Sequence, residues 1–66
     1  MKIYDFTQPE LDYFRNKCNF TDDESTIFEY RSKCVTIEEC AERMNISVST
    51  AKRLSRRVNG KIIRVI

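Results

Sequence analysis

The pattern T-x-x-E occurs three times in this chain, as Thr7 with Glu10, Thr21 with Glu24 and Thr36 with Glu39. In a capping box the threonine hydroxyl accepts from the backbone N–H three residues on. The glutamate reaches back to the threonine's own N–H, so two otherwise orphaned donors at a helix start are satisfied. Each of the three is followed by helically spaced apolar residues, so together they divide the chain into helices. One glycine and one proline leave few places for sharp turns. Pro9 falls in the first turn of the first helix, where its missing N–H costs nothing.

The first helix is expected from Gln8 to Cys18, with Leu11, Phe14 and Cys18 facing inward. The second is expected from Asp22 to Lys33, opening on Asp22, Asp23 and Glu24 at the positive end of the helix dipole. Ile27, Phe28 and Tyr30 supply its apolar side. The third, Ile37 to Met44, carries Ile37, Cys40, Ala41 and Met44 as a single stripe. Hydrophobic staples are expected between Phe6 and Leu11 and between Val35 and Cys40. Asn45 suits the left-handed turn that ends a helix, Ile46 is a buried turn residue and Ser47 is the next N-cap. The fourth helix is expected over 48–59, with Ala51, Leu54 and Val58 inward and Asn59-Gly60 as its stop. Lys61 to Ile66 reads as a short strand or a last helical turn, and Met1 to Phe6 could pair with it antiparallel. Tyr4, Tyr13 and Phe20 are expected to patch a thin core. The fold class is all-α, a trihelical helix-turn-helix bundle (20–62) preceded by one short helix (7–19), with a short C-terminal tail that is either extended or a last helical turn.

Sixty-six residues make one domain, 1–66, and such a chain buries only about 60% of its unfolded surface. At 41% apolar and 33% charged it has the composition of a soluble globular protein. No apolar run reaches the roughly 18 residues of a membrane span. The start, MKIYDFTQPE, lacks a signal peptide's apolar region, so a cytoplasmic, nucleoid-associated protein is expected. Three cysteines cannot all pair, and with no histidine the spacing of Cys18, Cys34 and Cys40 fits no zinc signature. They are expected to be small buried or helix-end residues. No catalytic residue, metal, cofactor or small-molecule ligand is expected, and the chain reads as a non-enzyme.

Charge is unevenly spread. Residues 34–66 carry seven basic and three acidic side chains, and Lys52, Arg53, Arg56, Arg57, Lys61 and Arg64 follow one another with no acid between them. This suggests a surface for a polyanion. Around it the spacing is that of a helix-turn-helix: a capped two-turn helix, a three-residue turn and a longer basic helix. Subtracting the inward residues leaves Ser49, Lys52, Arg53 and Arg56 at i, i+3, i+4 and i+7 on the opposite face. Val48 lies at the helix start, where base edges are approached most closely. Arg57, Lys61 and Arg64 flank the ridge, where phosphates would lie.

From Phe20 to Ile62 the chain resembles the DNA-binding domain of LuxR-type regulators and region four of bacterial sigma factors. The anchors are F-T-x-x-E and then T-I-E-E-C-A-E-R-M-N-I-S-x-S-T-A-K-R. The leading helix is similar to that of small proteins of Gram-positive bacteria and their phages. The resemblance implies that Ser47 and Thr50 bond phosphates while Lys52, Arg53 and Arg56 reach base edges. Cys34 and Asn45 stand where that family has glycine, and Cys34 implies a different turn. These residues carry none of the family's receiver or autoinducer domains. The expected function is sequence-specific binding of double-stranded DNA in transcriptional regulation, as a homodimer through Ile62, Ile63, Val65 and Ile66 or with RNA polymerase. The alternative is a protein-interaction module on the same fold, such as a phage-encoded inhibitor or adaptor, anti-CRISPR-like or polymerase-binding.

Overall fold

The computed structural model describes residues 3–66. A 3-10 turn, Ile3–Asp5, leads into four helices: α1 (Gln8–Lys17), α2 (Asp22–Ser32), α3 (Ile37–Met44) and α4 (Val48–Val65). The protein is a small all-α bundle. Among the described residues no helix is long and apolar enough to cross a membrane.

Each helix starts where a hydroxyl caps it. The boxes at Thr7 and Thr21 are complete: the Glu10 and Glu24 amides donate to the threonine hydroxyls, and the two carboxylates accept from the threonine amides at 2.8 and 3.0 Å. At Thr36 only half forms. The Glu39 amide donates to the hydroxyl at 3.2 Å, but the Glu39 carboxylate turns away to pair with Arg43 one turn on. The i,i+4 arginine takes the carboxylate there, a pairing worth about 0.2–0.5 kcal/mol on a helix surface.

Both α2 and α3 close with a residue in left-handed conformation. The Val35 and Ile46 amides reach back to the Tyr30 and Ala41 carbonyls at 3.1 and 3.0 Å, the six-to-one bond of a Schellman closure. Asn45 holds φ at 58°, as its identity suggested. Cys34 holds φ at 66°, so the backbone is the glycine type of turn with a cysteine in it, and the turn does not differ as expected. Asn19, at 53°, makes the α1–α2 turn.

The core is a single cluster of Ile3, Leu11, Phe14, Cys18, Ile27, Phe28, Cys40, Ala41, Ala51, Leu54, Val58 and Ile62. Phe28 is enclosed by the tilted Phe20 ring at 5.0 Å and by the Arg15 guanidinium at 5.6 Å. Arg15 also chelates Glu29 and Asp12, which holds the Glu29 carboxyl below the usual range. Phe6 meets Phe14 edge to face at 4.9 Å and half-covers that end of the core. Of the three aromatics expected to patch the core, Phe20 does so, whereas Tyr4 and Tyr13 are exposed. Cys18 and Cys40 are buried and Cys34 is exposed. Burial pushes the Cys18 and Cys40 thiols up.

Asn59-Gly60 does not stop α4. The helix runs through to Val65, so the tail is helical and α4 exceeds the expected 48–59. An interior glycine costs about 1 kcal/mol. Burying an isoleucine returns about 1.5–3 kcal/mol, and Ile62 is 0% exposed; continuing the helix is what puts it in the core. The proposed antiparallel pairing with the N-terminus is also replaced: Ile3–Asp5 is helical and packs on α2. Met1 and Lys2 lie outside the described residues.

A cysteine in the left-handed region carries about 1–2 kcal/mol of strain, part of which glycine's extra unfolded-state entropy cancels. Cys34→Gly should therefore stabilise the fold by about 1 kcal/mol. In thermal melts under reducing conditions this is a rise of roughly 4–8 °C for a chain this size; an unchanged or lower melting temperature would contradict the strain.

Candidate nucleic-acid interface

α3, a three-residue turn and α4 set one face of α4 against the bundle and leave the other to solvent. Ala51, Leu54, Val58 and Ile62 form the buried stripe, and α4 packs chiefly on α2 and α3. Ser49, Lys52, Arg53, Arg56 and Arg57 are exposed on the other side. Among the described residues none of these four cations is paired with an acid. The ridge expected from spacing is therefore present as an uncompensated positive surface.

The start of α4 is built differently from the other helix starts. α1, α2 and α3 each carry acids in the first turn, and α4 carries none. Its N-terminal partial positive charge is thus not neutralised from within. Ser47 caps it: the Thr50 amide donates to Ser47 Oγ at 3.1 Å, and the Ser47 hydroxyl donates to Thr50 Oγ1 at 2.9 Å. The two hydroxyls are paired at the helix tip, so one proton of the pair is left to give outward. Val48 is exposed at the helix tip.

Lys61 is not where the sequence put it. Its ammonium donates to Glu24 Oε1 at 2.5 Å and to the Asn19 carbonyl at 3.2 Å. Glu24 is only 2% exposed, and the same carboxylate oxygen accepts from the Thr21 amide in the α2 capping box. Lys61 thus ties α4 to the start of α2 and is withdrawn from the phosphate-facing set. The ammonium holds the Glu24 carboxyl below the usual carboxylate range, against the opposing effect of burial. Ending the helix at Asn59 hid this tie. On a helix carried past Gly60, Lys61 falls at the border of the buried stripe, three residues beyond Val58, where a lysine needs an acidic partner.

The seam expected from the tail is also divided. Ile62 belongs to the core and Val65 is half-buried, leaving Ile63 and Ile66, 64% and 76% exposed, on the outside. Ile66 and Val65 line a shallow apolar groove with Phe6, Pro9, Tyr13 and Phe14, whereas Ile63 lies outside it. Among the described residues no three cysteine or carboxylate side chains converge on a possible metal position.

Compared with protein-family models, curated proteins and solved structures, the chain matches none of them.

Removing one partner of a buried ion pair costs about 3–5 kcal/mol; Lys61 keeps 30% side-chain exposure, so Lys61→Met should cost about 2 kcal/mol. Because the Glu24 pKa is lowered in the folded state, the tie contributes above the unfolded carboxylate range and fades as pH falls through the folded value. Urea unfolding at neutral pH and at progressively acid pH should show the gap between wild type and Lys61→Met narrowing towards acid. A gap independent of pH would mean that the pair contributes through packing alone.

Proposed function

We propose that the protein binds double-stranded DNA through α4 and acts as a small, sequence-specific transcriptional regulator. The observation that carries this reading is the acid-free exposed ridge of α4, which follows α3 after a three-residue turn. Lys52, Arg53 and Arg56 reach base edges, where a bidentate arginine–guanine contact supplies about 1–3 kcal/mol of discrimination. Val48 and Ser49 lie at the tip that enters deepest. Thr50 donates to a phosphate and Ser47 holds it in position. Arg57 lies on the phosphate side of the ridge. The likeness of residues 20–62 to LuxR-type and sigma region-four domains supports the same assignment.

One such module buries only about 600–1,000 Å² on DNA, so useful specificity calls for a second copy or another partner. Ile63, Ile66 and the adjoining groove are the surface for it. The same exposed apolar end favours the second reading, a protein-interaction module that uses this fold without DNA.

Labelled duplex, including a randomised pool, should bind wild type in fluorescence anisotropy. With about four phosphates neutralised per monomer, log K should fall with log salt at a slope of about −3.6. Lys52→Glu/Arg56→Glu should abolish binding while its helicity, read by circular dichroism, stays that of wild type, since both side chains are exposed. Absence of wild-type binding at low salt would favour the protein-interaction reading.

A further inference from the structure

The exposed ridge of α4 has a gap in it. Ser49, Arg53, Arg56, Gly60 and Arg64 recur at intervals of three and four residues and so line up along one side of the helix. Gly60 is the member with no side chain. Nothing in the fold explains it. Its backbone is helical, with no positive φ, and a Cβ added there meets nothing within 4 Å. A helix interior that carries glycine without need gives up about 1 kcal/mol. Glycine is used where a ligand must come close to the backbone.

What surrounds the gap says which ligand. Gly60 lies in a shallow hollow of about 220 Å³ formed with Arg57, Lys61, Arg64 and Glu24. A second hollow shares Lys61 and Arg64 with it and reaches Lys17 at the end of α1. Glu24 is the one acid of the two hollows, and the Lys61 ammonium already neutralises it. Arg57, Arg64 and Lys17 are all exposed, and among the described residues none is paired with an acid. The surface is therefore cationic around a point of close backbone approach.

Helix length places this surface beyond the groove. At 1.5 Å per residue Arg64 lies about 18 Å along the axis from Lys52, whereas the major groove is about 12 Å wide. A helix that enters the groove by its first turns and is inclined across it passes over a strand of backbone at its far end. Resting on the DNA-binding reading above, we propose that the hollow at Gly60 is a second contact with the DNA backbone. A phosphate seats against α4 between Arg57 and Arg64, and Lys17 takes the next one. The glycine is kept because a methyl there would hold the phosphate off.

The test uses the intact protein with duplex DNA. Gly60→Ala should raise the melting temperature by roughly 4–8 °C and yet weaken duplex binding about tenfold, the loss of one charge-assisted contact. Lys17→Gln/Arg64→Gln should bind with the same sequence preference but a salt slope shallower by about 1.8, two phosphates' worth. Phosphate-ethylation interference should show contacts outside the groove-bound segment for wild type and none there for this double variant. If both variants bind with wild-type affinity and slope while Lys52→Glu/Arg56→Glu does not bind, the second contact is wrong and the groove-reading assignment stands. If wild type itself fails to bind duplex at low salt, both fall. If inorganic phosphate at matched ionic strength stabilises wild type but not Gly60→Ala, with duplex affinity equal in the two, the hollow takes a free anion and the backbone contact is overturned.

Discussion

A chain of 66 residues cannot build a layered core, so one helix has to act as the wall against which the others pack. That wall is α4. Its stripe of Ala51, Leu54, Val58 and Ile62 is buried along the helix, and α1, α2 and α3 all contact it. Ordering the backbone costs about 1–2 kcal/mol per residue, so a core of a dozen side chains leaves little margin. The Lys61–Glu24 tie then matters beyond its own energy. Through a single carboxylate oxygen it joins the last turns of the wall to the capping box that starts α2.

What could be read from the sequence was what is decided locally. Helix starts depend on residues three apart, and the starts of α1, α2, α3 and α4 fall where Thr7, Thr21, Thr36 and Ser47 put them. The inward residues of each helix followed from a period of 3.6. The end of α4 did not follow, because Asn59 and Gly60 carry a genuine local stop signal that burial of Ile62 outweighs. That one misjudged end led directly to another. With the helix cut at Asn59, Lys61 had no face and was assigned to phosphates, whereas its partner Glu24 is 37 residues away in sequence. The Glu39 side chain shows the same limit on a smaller scale, since its choice of Arg43 over the box depends on two nearly equal local options.

The candidate site was legible for the same reason that the starts were. Lys52, Arg53 and Arg56 sit on a helix face fixed by the buried residues between them, so spacing alone brings them together. The hydroxyls of Ser47 and Thr50 were legible as residues but not as a pair; only the geometry brings them within 2.9 Å of each other. The cost of the Cys34 turn was also hidden, since a cysteine there gives no sign that the backbone adopts a left-handed conformation.

One unbroken helix carries both the core stripe and the exposed ridge from Val48 to Val65. Each residue advances it by about 100°. A substitution on the ridge therefore alters one contact and leaves the register intact. A single inserted residue between Val58 and Lys61 would swing everything beyond it by more than a quarter turn, taking Ile62 out of the core, Lys61 off Glu24 and Arg64 out of line with Arg53. Over this stretch the protein can drift in residue identity, but its length is fixed to the residue.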